Sequence, residues 1–313
     1  MTQVRQVDAA TLTAAVTPKD AVAALTKALV EGYDPATDLP RTPANTRHGQ
    51  ILTMPSEVGD YAGIKVVTVA PNNPDHDLPR IQASYLLYDA TTLTLRATLD
   101  GTALTTLRTP AVSVAAVLPA LQRFKKPLRL VVFGTGPQGI GHVDTFQACV
   151  QEPLESVTFI AREPKRVPEE ARDRGDVVAI NSPEATSALA AADVIVCATS
   201  ARTPLFSAAD VAKNVVVVAM GSHEPDAREV ESQLIANSTI IVEDLGAALR
   251  EAGDVVMAID DGSTTKEQLL TMSEVLRGVK ELSADKPVLF KGVGMPWEDL
   301  VVAQAALEAI DQG

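Results

Sequence analysis

The sequence predicts an α/β protein: a doubly wound parallel sheet joined to a second, α+β domain. Three observations predict it. From Leu128 onward, short β-branched runs alternate with helical stretches, the rhythm of a parallel sheet covered on both faces. The first of these runs, LRLVVF, ends directly in Gly134-Thr135-Gly136-Pro137-Gln138-Gly139, a G-x-G-x-x-G turn between strand and helix. Before it, four apolar strands follow one another without a helix between them, which reads as a meander, antiparallel or mixed.

The elements follow in order. After a short first strand, Thr17-Pro18-Lys19-Asp20 opens a helix, with Thr17 as N-cap and Pro18 in the first position. ILTM (51–54), GIKVVTV (63–69), IQASYLLY (81–88) and LTLRATL (93–99) are strands separated by Gly, Pro, Asn and Asp. Thr105–Leu121 is a helix, which Phe124-Lys125-Lys126-Pro127 breaks before the glycine-turn strand. In that turn the first glycine allows a tight bend. The second admits backbone to a pyrophosphate, and the third lets helix and strand pack closely. The following helix aims its N–H groups and positive dipole end at the phosphates. This is a Rossmann-type doubly wound parallel sheet.

The next strand, VTFIA, ends at Arg162, with Glu163 after it and Lys165 and Arg166 behind. An acid at this place takes the ribose 2′-hydroxyl of NAD, whereas an arginine takes the 2′-phosphate of NADP. The reading is that NADP(H) is preferred, with NAD(H) possible should Glu163 take the ribose. VVAIN (177–181), DVIVCAT (193–199), VVVVAM (215–220) and TIIVED (239–244) continue the sheet, and Ser182-Pro183-Glu184 starts a helix. The last segment, VLFKGVGMPWEDLVVAQAALEAI, is strand, turn and amphipathic helix. The expected division is residues 121–289 for the nucleotide domain, with 1–120 and 290–313 forming one discontinuous domain.

The chain has 313 residues, 46% hydrophobic and 21% charged, an ordinary globular balance. Its net charge of −13 argues against nucleic acid or an anionic membrane as partner. No long uninterrupted apolar segment and no signal-like h-region is read, so a cytoplasmic location is expected. Cys149 and Cys197 lie in apolar contexts and read as buried thiols. The histidines at 48, 76, 142 and 223 have no metal-ligand spacing, and no metal is expected.

Arg41 upstream of Met54-Pro55, Gly63-Ile64-Lys65-Val66-Val67, Asn73-Pro74, Leu104–Ala111 (LTTLRTPA), GTGPQG, Gly221–Glu229 (GSHEPDARE) and Gly292–Asp299 (GVGMPWED) occur in one order along nearly the whole chain. Together they resemble the ornithine cyclodeaminase/μ-crystallin family. The resemblance implies a homodimer, a nucleotide domain with a discontinuous substrate/dimerisation domain, and chemistry at the α-carbon of a small amino or imino acid. It gives Arg41, Lys65 and Arg108 the substrate carboxylate, with Lys65 also able to move a proton. The residues agree in part. An ammonium within GIKVVTV needs a partner, and a guanidinium can hold a carboxylate in two-pronged geometry. Structural salt bridges are the alternative for each.

The resemblance also implies cofactor contacts from Thr109, Gly134, Gly136, Pro137, Gln138, Gly139, Arg162 and Gly294, with the Gly292–Gly294 turn offering amides to the nicotinamide carboxamide. Asp299 is read as capping or orienting the last helix. Ser84 and Tyr85 are core-strand residues. Leu93 stands where a glycine is common, and Arg80 reads as a loop charge. The informative departure is His223, which stands where cyclodeaminases carry an aspartate. It can shuttle a proton but supplies no anion; capping a helix near Pro225 is its other reading. The expected function is therefore an NAD(P)-dependent oxidoreductase of ketimine reductase or amino-acid dehydrogenase type. The alternatives are conversion of L-ornithine to L-proline and ammonia, or a catalytically weak NADPH-binding protein.

Overall fold

The computed structural model describes residues 4–76 and 78–312. It divides into two compact units, one running to Val112 and resuming at Met295, the other Ser113–Gly294. The expected boundaries at 120 and 290 therefore move to 112 and 295. The first cut falls inside a continuous helix. At the second, the turn after the last strand stays with its sheet because buried Glu243 accepts the N–H groups of Val293 (2.8 Å) and Gly294 (3.0 Å).

The first unit contains β1 (Arg5–Val7), α1 (Ala9–Ala15), α2 (Pro18–Val30), β2 (Thr42–Thr46), β3 (Gly49–Val58), β4 (Tyr61–Val69), β5 (Ile81–Asp89), β6 (Leu95–Asp100), the start of α3 (Gly101–Leu121) and the C-terminal helix (Pro296–Gln312). Its sheet has the order β1-β6-β5-β4-β3-β2, antiparallel except for the β1–β6 pair. The expected meander is present. β2 went unread because TPANT is exposed throughout and carries no apolar alternation; it is an edge strand, where Pro43 is tolerated. Thr17 caps α2 in a reciprocal box with Asp20. Leu93 adopts φ +51°, so the strand expected from residue 93 starts at Leu95. α3 starts at Gly101, not Thr105, because Asp100 Oδ1 accepts the N–H groups of Thr102 and Ala103 (both 2.9 Å). Contrary to expectation, α3 is long and apolar enough by composition to cross a membrane; most of that stretch is covered inside the protein, as in a core helix.

The second unit carries β7 (Leu128–Phe133), α4 (Pro137–Cys149), β8 (Leu154–Ala161), β9 (Asp176–Ala179), β10 (Val194–Cys197), β11 (Val216–Ala219), β12 (Thr239–Val242), β13 (Leu269–Thr271) and β14 (Val288–Lys291). All pairs are parallel, in the order β13-β12-β14-β11-β10-β7-β8-β9. β10, β11 and β14 are buried along their whole length, as fits uniform Val/Ile-rich runs between two helical layers. β9 ends two residues before Asn181, which takes φ +64°. β13, three residues long, is too short to carry a periodic signal. Cys197 is buried at the end of β10, while Cys149 is only partly buried.

Candidate functional site

The glycine turn of the second unit has close backbone contacts at its first and third glycines and open space at its second. Gly134 has φ +104°, and a Cβ there would come within 2.3 Å of the Ala198 carbonyl oxygen. A Cβ on Gly139 would come within 2.0 Å of the Gly134 carbonyl oxygen, so helix and turn meet in backbone contact. Gly136 differs: a Cβ there would meet nothing within 4 Å. It is the N-cap of α4 without a side-chain cap, and Pro137 occupies the first turn. Open space in front of uncapped N–H groups fits a pyrophosphate.

β7 lies between β8 and β10, where the chain order of the strands reverses. Beside this switch point is a cavity of about 690 Å³, lined by Gly134, Thr135, Arg162, Glu163, Arg166 and the run Ala198–Leu205 among others. The residues fit a dinucleotide. Arg162 lies exposed past the end of β8, and among the described residues no carboxylate is paired with it. Glu163 instead pairs with Arg166 at 3.1 Å. Within α4 the Gln138 carbonyl accepts from Nδ1 of His142, a fully buried imidazole whose pKa burial pushes down to about 4 and which is therefore neutral. The turn at 292–294 is a correction. Its amides belong to the protein: that of Gly292 donates to the Ala219 carbonyl (3.1 Å), and that of Gly294 to Glu243.

The loop after β11 carries His223 at an exposed position beyond buried Ser222. The following helix starts only at Ser232, so His223 does not cap it. The flanking acids Glu224 and Asp226 are both held by Arg202.

The first unit brings together residues far apart in sequence. Lys65 on β4 donates from Nζ to Asp299 Oδ2 at 2.7 Å and to Thr105 Oγ1 at 3.4 Å. Arg108 on α3 reaches Glu298 Oε2 from Nη1 at 2.7 Å and Asp299 Oδ1 from Nε at 3.1 Å. All four charged side chains are buried, Lys65 at 2% exposure and Asp299 at 0%. Asp299 is therefore no helix cap; it bridges both cations. Burial pushes the Lys65 pKa down to about 8, and the Arg108 charge pushes the same way, against the pull of Asp299.

Tyr85 pairs with Lys65 in register across β4 and β5 and is fully buried. The N–H of Trp297 donates to Asp38 Oδ2 at 2.8 Å, so the first turn of the C-terminal helix is capped from another segment. Burial pushes Asp38 up to about 6. Arg41 is half-buried before β2, Thr109 is buried next to Arg108 on α3, and Arg80 is an exposed loop charge. Glu298 and Asp38 were not read from the sequence. The available signal for Glu298 was a pair of acids opening an otherwise apolar helix, WEDLVVAQAAL, which demands buried cations elsewhere.

The chain matches the model of the ornithine cyclodeaminase/mu-crystallin family over residues 1–313. It is 32% identical over 272 residues to Delta(1)-pyrroline-2-carboxylate reductase 2 of Burkholderia ambifaria, covering 84% of this chain and 81% of that protein. It is 30% identical over 277 residues to ketimine reductase mu-crystallin of Rattus norvegicus, covering 87% and 84% respectively. Among solved structures it is similar to Thermococcus litoralis Delta(1)-pyrroline-2-carboxylate reductase in complex with NADH and L-proline, with TM-score 0.86, 25% identity and coverage of 99% and 98%. With its doubly wound sheet, glycine turn and Lys65–Arg108 cluster, this chain belongs to the ornithine cyclodeaminase/μ-crystallin family.

Proposed function

We propose that the protein is an NADP(H)-preferring reductase of small cyclic ketimine carboxylates, such as pyrroline- or piperideine-2-carboxylate. Within its family the chain is an NAD(P)-dependent oxidoreductase acting at the α-carbon of a small amino or imino acid. The observation that carries the finer reading is the buried Lys65–Asp299–Arg108 bridge: one cluster holds a guanidinium and an ammonium whose pKa lies near 8.

When bound, the dinucleotide supplies a hydride. The rest falls to the chain's own residues. The N–H groups at the start of α4 hold phosphate, and Arg162 takes the 2′-phosphate, its neighbour Glu163 being tied to Arg166. Arg108 recognises the substrate carboxylate, with Glu298 fixing the guanidinium plane. Lys65 gives a proton from Nζ to the imine nitrogen as the carbon–nitrogen double bond is reduced, and Asp299 holds Nζ in place for reprotonation by water. Arg41 is a further contact for the carboxylate, and His223 a second proton carrier.

Cyclodeamination is the less favoured reading because the acids of the His223 loop are committed elsewhere: Glu224 and Asp226 to Arg202, Glu229 to Thr199 and Gly221, and Glu231 to Ala208. A homodimer is part of the proposal, supported by apolar Ile51 and Ile81, 40% and 44% exposed on β3 and β5, the strands that flank β4 in the first unit's sheet. Cys149 and Cys197 form no disulfide with each other, which suits a reducing cytoplasm. The deciding experiment assays ketimine reduction with NADPH and ammonia release from L-ornithine on one preparation, beside His223→Asp. Ketimine reduction should exceed ornithine deamination. Robust proline formation from ornithine by the unaltered chain would overturn the proposal.

A further inference from the structure

Glu229 sits at the foot of the loop after β11 with no exposed surface, and its hydrogen bonds reach a neighbouring loop and the start of its own. Oε1 accepts from the Thr199 N–H at 2.9 Å and the Thr199 hydroxyl at 2.7 Å. Oε2 accepts from the Gly221 N–H at 2.7 Å. The backbone carbonyl of Glu229 accepts from the Leu205 N–H at 2.9 Å. Thr199 and Leu205 lie near the two ends of the run Ala198–Leu205, all of which lines the dinucleotide cavity. Gly221 stands two residues before His223. One buried residue thus grips both ends of the cavity loop and the root of the His223 loop.

Glu229 is itself held in place. Its N–H and that of Val230 donate to Asp254 Oδ1 at 2.7 and 2.9 Å. Asp254 Oδ2 faces Lys291 Nζ at 3.1 Å, and both side chains are fully buried. Lys291 also donates to the Ser222 carbonyl. No side chain fits at Gly221, where a Cβ would lie 2.6 Å from Glu229 Oε1 and 2.1 Å from the Thr199 carbonyl oxygen. A residue serving the sheet alone would bond strand to strand. The donors to Glu229 all lie past the strand ends, in the segments that carry binding and proton transfer.

We propose that Glu229 is a positioning residue that couples the dinucleotide cavity to His223, so that cofactor binding and the placement of His223 are set together. The inference rests on the reading of the cavity as the dinucleotide site. The test is Glu229→Gln in the full chain. The amide keeps the length of the side chain, but its NH₂ must face a donor at Thr199 or Gly221, so one of the two grips is lost. Two quantities are read: the Kd for NADPH by fluorescence titration without substrate, and kcat with its pH profile at saturating NADPH and ketimine. The Kd should rise at least about fivefold, and kcat should fall at least about fivefold with an altered pH profile, as expected for loss of a hydrogen bond to a buried charge.

Thr199→Val removes the hydroxyl's bond to Glu229 and the one it accepts from the Ala201 N–H (3.1 Å) but keeps the Thr199 N–H bond, and should move both quantities the same way by a smaller factor, about two- to threefold. It decides the matter should the Gln variant fail to fold. Kd and kcat both at parental values, whatever the melting temperature, would make Glu229 purely structural and overturn the inference. Movement of one quantity without the other would overturn the coupling. An unaltered chain that binds neither NADPH nor NADH would instead overturn the dinucleotide reading on which the coupling rests.

Discussion

The two buried ionic clusters differ in what their carboxylates hold. In the first unit, Glu298 and Asp299 spend their oxygens on side chains, Arg108 and Lys65, and anions and cations balance two against two. In the second unit, Glu229 and Asp254 face a single ammonium, Lys291, and their remaining charge is absorbed by backbone N–H groups of Thr199, Gly221, Glu229 and Val230. A carboxylate that caps backbone fixes loops. A carboxylate that pairs with a buried lysine holds the ammonium in place and raises its pKa against the opposite effect of burial. The comparison supports the proposal of chemistry for the first cluster, where the carboxylates hold cations, and of positioning for the second, where they also hold backbone.

The sharpest way to break this assignment is to remove the cations of the first cluster. Lys65→Ala and Arg108→Ala should each lower kcat/KM for the best ketimine by about 10²–10⁴-fold, the range of a lost proton donor or charged contact. NADPH affinity should stay within about twofold, in contrast to the second cluster, whose loss moves both. Each variant also leaves a buried carboxylate short of a partner, at a cost of about 3–5 kcal/mol, so melting temperatures should fall and rates must be read on folded protein. Near-parental turnover in either variant would make that residue structural.

Next in size is cofactor choice. Arg162→Ala should weaken NADPH binding roughly tenfold and spare NADH, from about 1.5–3 kcal/mol for one charged phosphate contact. Equal affinity of the unaltered chain for the two cofactors would remove the role given to Arg162.

A subtler measure is pH. A proton donor with pKa near 8 predicts that the reduction rate falls as pH rises through about 8, while a lysine at its ordinary 10.5 would leave the rate flat there. The sign for stability is opposite. Between about 8 and 10.5 the unfolded chain binds more protons at this lysine than the folded chain, so this group's contribution to stability rises with pH across that window. Chemical denaturation of the parent and Lys65→Met at pH 7.5 and about pH 9.5 separates this contribution from the rest.

The smallest effect belongs to Asp38. Trp297 is the only tryptophan, and its backbone N–H donates to Asp38, whose pKa lies near 6. Its fluorescence should titrate with a midpoint near pH 6, and Asp38→Asn should flatten that step. From about pH 3.8 to 6 the folded state holds the extra proton, so stability from this group declines as pH rises through that window. A step that persists in the Asn variant would assign it to another group.

Much of the second unit was legible because its signals are local. Gly134, Gly136 and Gly139 are separated by the spacing of a single turn, and the constraint on each is set by backbone a few residues away or on the adjacent strand. The caps at Thr17 and Ser182 were readable for the same reason. Where a local signal was weak or shared between elements, the reading slipped: Asp100 ends β6 and also caps α3, and the edge strand β2 has no buried face to impose alternation.

The sequence by itself determined the doubly wound sheet, the dinucleotide turn and the demand that Lys65 and Arg108 find partners. Only the tertiary structure decided what those partners are. Lys65 and Asp299 are 234 positions apart, and Arg108 lies 190 and 191 positions from its two acids. Nothing in the neighbourhood of a buried charge specifies which distant opposite charge will answer it. The hydrophobic effect that buries both acts without direction, and the choice is made by where the fold brings β4, α3 and the C-terminal helix together.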